Sequence, residues 1–203
     1  MEIIKHRINT IAELQRVPKK YGIEVDIRDE NTRLILQHDP HKSGDYFGEY
    51  LHHYNHGTII LNVKSEGIEL EILNYLKKYK ISNYFFLDSS FPMINRLIEL
   101  GEKNIALRFS EFEPIENLIV LKNKVRWVWV DYFHKSPLND TNYELIKKMG
   151  YKICIVSPEL QSHQLQERKK LRSLMTIILK LFAPKFQSFG NNKTYTKIKY
   201  YFE

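Results

Sequence analysis

The chain of 203 residues is long enough for one domain and too short for a second one beside it. Its 31 lysines and arginines against 24 acidic residues give a net charge of +7, which suits anionic ligands but is concentrated on no recognised nucleic-acid motif. This distribution of charge predicts no nucleic-acid partner. The single cysteine excludes an internal disulfide, and the apolar residues around Cys154 indicate core packing.

The sequence also predicts no transmembrane segment. A strand predicted at the first residues leaves no room for a signal peptide, so we expect a cytoplasmic protein. The segment 167–182, ERKKLRS followed by LMTIILKLF, is basic and amphipathic, a type that can lie on anionic membranes. Lys180 interrupts its apolar run, and the pattern favours a long helix of the fold over peripheral membrane contact.

Short β-rich runs alternate with helical patterns along the chain. Predicted strands lie at 3–6, 23–28, 58–64, 84–88, 104–109, 125–131, 152–156 and 194–201. Predicted helices lie at 11–16, where Thr10 is a suitable N-cap, and at 68–78, 92–100, 114–121, 142–149 and 160–182. This alternation predicts an α/β protein whose residues 1–203 form one compact (β/α)8 TIM barrel of near-minimal length, with 33–38 as an excursion after the second strand.

The second predicted strand has one apolar and one charged face. In GIEVDI, Ile23, Val25 and Ile27 alternate with Glu24 and Asp26. On a half-exposed edge strand the charged face would simply be the wet side. The alternative is a functional site, because polar residues recur where other apolar runs end.

These strand ends carry residues suited to phosphate chemistry. His6 and His38 each end an apolar run, and Asn62 and Lys64 share one face of LNVK. Barrel active sites lie at the carboxyl ends of the strands, which predicts that these residues converge with Asp88 and Asp131.

The motifs HR with NT close behind, GIEVDIRD, LILQHDP and the VK strand resemble the glycerophosphodiester phosphodiesterase family, which is related to the phosphatidylinositol-specific phospholipases C. They cover the first third of the chain. The resemblance implies that His6 and His38 are the acid–base pair, that Glu24 and Asp26 bind a divalent metal, and that Arg7 and Lys64 contact phosphate.

These implied roles are chemically consistent. Imidazole titrates near pH 6.5, so one ring can accept the nucleophile's proton while the other donates to the departing alkoxide. Which ring is the base stays open, with His6 favoured, and Asp39 is either an orienting group for His38 or a loop cap. Mg2+ or Ca2+ prefers oxygen ligands and would neutralise charge on the phosphate, while arginine and lysine complete the clamp.

The sequence departs from the family pattern at two positions. Asn62 stands where the family has a third acid, so its amide oxygen becomes the expected ligand and weaker metal binding is predicted. HRINT lacks the glycine and the longer loop that usually follow the HR pair, which predicts a reshaped pocket and a changed substrate.

Further candidates follow later strands. Arg108 and Asp131 are predicted to contact the substrate or its phosphate, as are Asp88 and Glu159, although helix capping explains several such positions equally well. Trp127 and Trp129 share a face that favours core packing over a sugar platform.

Four more histidines share one stretch of the chain. The segment HDPHKSGDYFGEYLHHYNH fits no zinc spacing and predicts a solvated loop above the pocket.

The sequence predicts a phosphodiesterase that hydrolyses a glycerophosphodiester or a related small phosphodiester with two histidines and a divalent metal. One alternative is a phospholipase C-type lyase, in which a substrate hydroxyl attacks and a cyclic phosphate leaves. Another is a degenerate barrel that binds phosphorylated ligands without turnover.

Overall fold

The structure is a computed structural model that describes residues 2–156 and the strand at residues 198–202. These parts of the chain contain ten strands: β1 (Glu2–Lys5), β2 (Gly22–Glu30), β3 (Arg33–Leu36), β4 (Asp45–Tyr46), β5 (Ile59–Val63), β6 (Tyr84–Leu87), β7 (Ala106–Phe109), β8 (Trp127–Val130), β9 (Lys152–Val156) and β10 (Ile198–Phe202). They also contain six helices: α1 (Ile11–Leu14), α2 (Phe47–His52), α3 (Glu69–Lys78), α4 (Phe91–Glu99), α5 (Glu116–Val120) and α6 (Asp140–Lys148). Each of the eight predicted strands overlaps an observed one.

Local sequence explains where several helices begin. Thr10 caps α1, and Glu13 completes a capping box by returning its carboxylate to the Thr10 backbone N–H. Ser90 caps α4, whose second residue is a proline, and Asn139 caps α6. The predicted cap at Thr10 is confirmed.

Parallel strands form most of the sheet. β1 and β5 both run parallel to β2, and β6 runs parallel to β5, while β7, β8 and β9 form a second parallel group. The two groups meet at an isolated bridge between Phe86 and Ile105. β10 connects them on the other side, because it pairs with both β1 and β9.

The predicted (β/α)8 TIM barrel is wrong. Strand β10 runs antiparallel to both of its neighbours, the described parts hold only six helices, and a single bridge stands where a full ladder between β6 and β7 would be needed. Alternating apolar residues report that a strand is buried, but they do not report its direction. The pattern therefore located the strands and gave the wrong architecture.

The segment after β2 is a β-meander. Its first part, predicted as an excursion, is β3, which pairs antiparallel with β2 through Ile27 and Leu36, and β4 pairs with β3 in turn. The predicted solvated histidine-rich loop is wrong for residues 47–52, since α2 buries Phe47, Tyr50 and Leu51 in the core, whereas His41, His52 and His53 are exposed. The histidines made the whole segment look polar in sequence, although one face of α2 is apolar and buried.

Two apolar clusters hold the sheet. The larger packs helices against one face, and the smaller combines nine residues from the other face: Ile4, Ile60, Phe85, Leu87, Ala106, Trp127, Trp129, Cys154 and Val156. Within it, Phe85 and Trp127 stack with ring centroids 4.2 Å apart. The predicted packing roles of Cys154 and of both tryptophans are confirmed, because all three side chains are buried here.

No helix in residues 2–156 is long and apolar enough to cross a bilayer. The segment 167–182, the predicted helix at 160–182 and Glu159 lie outside the described residues.

Candidate active site

A polar cavity of about 200 Å³ opens at the carboxyl ends of the strands. Its first wall comes from β1, β2 and β5 and consists of His6, Arg7, Glu24, Asn62 and Lys64. Its second wall comes from β6, β7 and β8 and consists of Asp88, Arg108, Trp129 and Asp131. Leu87, Trp129 and Val156 belong to the smaller apolar cluster, which therefore supports the cavity from below.

Of the predicted site residues, seven line this cavity: His6, Arg7, Glu24, Asn62, Lys64, Arg108 and Asp131. Asp26 and His38 do not line it, but each contacts residues of the first wall. The structure therefore brings all nine into or beside one cavity. Their chemical roles stay predictions.

Glu24 is the centre of the first wall. Its side chain is fully buried, and Oε1 accepts a hydrogen bond from Asn62 Nδ2 at 2.8 Å. Oε2 accepts the backbone N–H of Arg7 at 2.8 Å and lies 3.4 Å from His6 Nε2. This carboxylate thus fixes the first turn after β1 and faces the imidazole that the sequence favours as the base.

Asp26 lies on the same face of β2 and is equally buried. Its Oδ2 accepts from Asn9 Nδ2 at 2.9 Å, and its Oδ1 lies 3.7 Å from Lys64 Nζ. Burial and the neighbouring Glu24 carboxylate raise the pKa of Asp26 above its usual value. Two buried carboxylates on one strand face repel each other. The hydrogen bond from Asn9 and the Lys64 ammonium offset this repulsion only in part.

Asn9 is a site residue that sequence reasoning missed. Besides donating to the Asp26 carboxylate, its Oδ1 accepts the Asp26 backbone N–H at 2.9 Å. The signal was present in HRINT, where the asparagine follows the HR pair by two residues. Its partner lies 17 positions away in sequence, so the motif alone could not assign the contact.

The backbone is strained at two cavity residues. Arg7 has φ 53° and Asp88 has φ 62°, both in the left-handed region that residues with a β-carbon seldom adopt. At Arg7 this conformation accompanies the hydrogen bond from its N–H to Glu24. Asp88 does not cap α4, since Ser90 does, so the alternative of helix capping is wrong for Asp88.

His38 is held between a cation and a carboxylate. Its Nε2 lies 2.7 Å from Arg7 Nη2, and its Nδ1 lies 2.8 Å from Asp39 Oδ1. Because a guanidinium can only donate, Nε2 must accept and Nδ1–H must donate to Asp39, which fixes one neutral tautomer. Hydrogen bonds from Lys42 and then from His38 lower the pKa of Asp39 to about 2.

The second wall is built around Arg108. Its guanidinium makes ion pairs with Asp88 and Asp131, and Nε lies 3.5 Å from a Glu113 oxygen. These carboxylates outweigh the effect of burial and raise the pKa of Arg108. The predicted phosphate contact of Arg108 stays a prediction, and its partners in this structure are carboxylates.

Of the remaining contacts, one joins the two walls and the other lies within the second wall. Lys64 Nζ lies 3.3 Å from Asp88, and Trp129 Nε1 donates to Asp131 at 3.3 Å. Lys64 of the first wall therefore bridges Asp26 of β2 and Asp88 of the second wall.

The oxygens of the first wall fit a hard cation in donor chemistry. Asp26 Oδ1 and Asn62 Oδ1 are buried, and neither receives a hydrogen bond from the described residues. Together with Glu24 they offer two carboxylates and one amide oxygen, which suits Mg2+ or Ca2+. In residues 2–156 no group of three His, Cys, Asp or Glu side chains could hold a metal, so the set depends on the amide of Asn62.

No protein-family model matches this chain, and no curated protein or solved structure matches it either. The fold and the cavity thus define an α/β protein with a mixed, mainly parallel sheet and a charged site at its strand ends. The glycerophosphodiester phosphodiesterase resemblance in the first third of the chain remains a resemblance.

Proposed function

We propose that this protein is a phosphodiesterase that hydrolyses a small phosphodiester, of which a glycerophosphodiester is the best-fitting class. One observation carries the proposal: His6 Nε2 lies 3.4 Å from a fully buried carboxylate in a cavity that also presents Arg7 and Lys64. A proton-accepting ring beside two cations suits phosphoryl chemistry, in which anionic oxygens must be held while a proton moves.

The size of the cavity supports a small substrate. At about 200 Å³ it is smaller than the sites that enclose drug-sized ligands. Arg7 supplies a planar fork of donors and Lys64 a point charge, so the phosphate would be both oriented and attracted.

We assign His6 as the general base. The Glu24 carboxylate beside it stabilises the imidazolium that forms when the ring accepts a proton. His38 is the candidate acid, and its Nε2 is engaged by Arg7 in this structure. Rotation of the Arg7 guanidinium onto a bound phosphate would release Nε2. His38 then acts as the acid only after Nε2 has taken up a proton from solvent, because the neutral tautomer carries its proton on Nδ1.

Glu24, Asp26 and Asn62 would hold the divalent metal. When bound, Mg2+ or Ca2+ supplies charge neutralisation at a nonbridging phosphate oxygen. Independently of it, Lys64 holds Asp26 and Asp88 in place, and Arg7 closes the first turn over Glu24.

The test is turnover of glycerophosphocholine, glycerophosphoethanolamine and bis(p-nitrophenyl) phosphate by native protein, His6→Ala and Glu24→Ala, with EDTA, Mg2+ or Ca2+. His52→Ala, a change at an exposed histidine of α2, is the matched control. We expect activity that His6→Ala and Glu24→Ala abolish and His52→Ala retains. A 31P spectrum of the product separates hydrolysis from the lyase alternative, since a cyclic phosphate has a distinct shift.

Binding of a phosphorylated ligand without turnover is the second candidate. It is favoured by the contacts of Glu24, whose two oxygens already accept from Asn62 and from the Arg7 backbone, and by the amide at Asn62. Calorimetry with glycerol 3-phosphate distinguishes the two. Saturable binding that needs Arg7 and Lys64, with no turnover on the panel, would replace the first proposal by the second.

A further inference from the structure

Three phenylalanines stand exposed on the edge of the sheet that carries the cavity. Phe91 is 58% exposed, Phe112 is 66% exposed and Phe133 is 43% exposed, and they follow β6, β7 and β8 respectively. The carboxyl ends of neighbouring parallel strands lie at one edge of a sheet. We call these residues the phenylalanine rim.

The rim begins close to the second wall of the cavity. Phe91 follows Asp88 by three residues, Phe112 follows Arg108 by four, and Phe133 follows Asp131 by two. Each of the three strands thus contributes one charged residue to the cavity and one apolar ring to the solvent beside it.

The rings are presented by a fixed turn. Phe112 and Phe133 are in contact, with ring centroids 5.7 Å apart. Glu111 Oε1 accepts backbone N–H groups from Phe133 at 3.0 Å and from Lys135 at 3.2 Å. Burial alone would raise the pKa of Glu111, but backbone N–H groups, first that of His134, lower it.

A second hydrogen bond fixes the other side of the pair. The Ser110 hydroxyl accepts the Phe112 N–H at 3.2 Å, and Ser110 is itself buried. The loops after β7 and β8 are therefore tied to each other while they expose apolar rings. Such exposure in a hydrogen-bonded turn indicates an interaction surface.

We propose that the phenylalanine rim docks on an anionic lipid bilayer, with the cavity facing the headgroups. Aromatic rings are suited to the interfacial zone of a bilayer, and binding grows with buried apolar area and with attraction to anionic lipid. Exposed His134 and Lys135 flank the ring pair, and the carboxylates nearest to it, Glu111 and Glu113, have partners within the protein.

The distribution of charge selects an anionic surface. Residues 157–203 contain nine lysines and arginines against three acidic residues, so they carry most of the net charge of the chain. Their attachment points lie on the same edge as the rim, because Val156 lines the cavity and Ile198 pairs with Lys5 at the end of β1. The chain carries most of its net positive charge in residues 157–203, and an anionic lipid surface complements that charge.

The test is co-sedimentation of the full chain with vesicles of phosphatidylcholine alone or with roughly one third phosphatidylglycerol. The double variant Phe112→Ser/Phe133→Ser is compared with Leu100→Ser, whose side chain is 64% exposed at the end of α4, away from the rim. We expect native protein to bind the anionic vesicles, at least about tenfold weaker binding by the double variant, and unchanged binding by Leu100→Ser.

A second measurement does not depend on the double variant folding. Phe112→Trp is expected to give an indole emission that shifts to the blue with anionic vesicles and is quenched by spin-labelled lipid. The proposal would be overturned if native protein bound neither type of vesicle. It would also be overturned if the double variant kept its binding, or if Leu100→Ser lost as much binding as the double variant. Vesicle binding and hydrolysis of a soluble diester are measured separately, so either one can succeed where the other fails.

Discussion

The two walls of the cavity balance buried charge in different ways. In the second wall, the Arg108 cation faces carboxylates of Asp88, Asp131 and Glu113, so its charged groups are paired with one another. In the first wall, Glu24 is repelled by Asp26, which lies on the same face of β2, and the cations near Asp26 approach it only to 3.7 Å from Lys64 and 3.8 Å from Arg7.

The difference shows which wall is prepared for a ligand. A wall whose charges are already paired keeps its shape when nothing is bound, since each group has its partner. A wall with buried oxygens at Asp26 and Asn62 that receive no hydrogen bond from the described residues gains most when a cation or a donor arrives. We therefore propose that binding and proton transfer take place at the first wall and that the second wall gives structural support.

The largest expected effect is loss of activity in His6→Ala. Removing the proposed general base should lower kcat by about 10²- to 10⁴-fold, because the proposal gives the proton at that position no other acceptor. The side chain is only 13% exposed, so some loss of thermal stability is expected as well, and kcat is compared at a temperature at which the variant is folded. Steady-state kinetics beside the exposed-site variant His52→Ala checks this, and equal activity in both variants would remove His6 from the mechanism.

Arg108→Met tests the second wall. Loss of the cation leaves the carboxylates of Asp88 and Asp131 facing each other, and we expect unfolding to become easier by about 1–3 kcal/mol, after allowance for partial exposure. Urea unfolding measures it. The control is Arg126→Met, at an exposed arginine whose side chain donates a hydrogen bond to Asn104, where a far smaller change is expected. Similar losses in both would mean that the second wall is not held by its charge pairs.

Asp26→Asn should change how the stability of the protein depends on pH, because it removes the repulsion between the Asp26 and Glu24 carboxylates. The pKa of Asp26 is raised in the folded protein by burial and by Glu24, so native stability falls as pH rises from about 4 and the carboxyl ionises. The variant lacks this ionisation. The free energy of unfolding of the variant, relative to that of the native protein, should therefore increase between about pH 4 and pH 7. The size of this change should be smaller than the change expected for Arg108→Met.

Asp29→Asn, at an exposed position of the same strand, is the control for Asp26→Asn. Thermal unfolding at several pH values measures both. A stability difference that moves the opposite way with pH, or that is the same in the two variants, would contradict repulsion between Glu24 and Asp26.

The smallest effect is expected in Asp39→Asn, outside both walls. Hydrogen bonds from Lys42 and His38 lower the pKa of Asp39 to about 2, so its contribution to stability is present above about pH 4 and disappears as pH falls towards 2. The melting temperature at pH 7 should fall by at most about 2 °C, with no difference near pH 2. Lys42→Ala should reproduce part of this loss, and a difference that persists at pH 2 would contradict it.

Much of the site could be predicted because its signals are local. Alternation in GIEVDI shows that Glu24 and Asp26 share a face, and the end of an apolar run shows that His6 or Lys64 stands near a strand end. Parallel strands then bring such ends together at one edge, which is where the cavity lies.

Other contacts could not be predicted because they join distant parts of the chain. The contact between Asn9 and Asp26 spans 17 positions, and the contact between Arg108 and Asp131 spans 23. The tautomer of His38 depends on Arg7, which is 31 positions away. Nothing in the local pattern around any of these residues specifies its partner.

The sequence by itself determined the positions of eight strands and the polar residues at their ends, since both follow from short-range periodicity. Only the tertiary structure decided that β10 is antiparallel, that 33–36 extends the sheet as β3, and that one wall of the cavity is paired while the other is strained. Strand direction and charge pairing depend on which segments meet in space, and the burial pattern along the chain does not specify which segments those are.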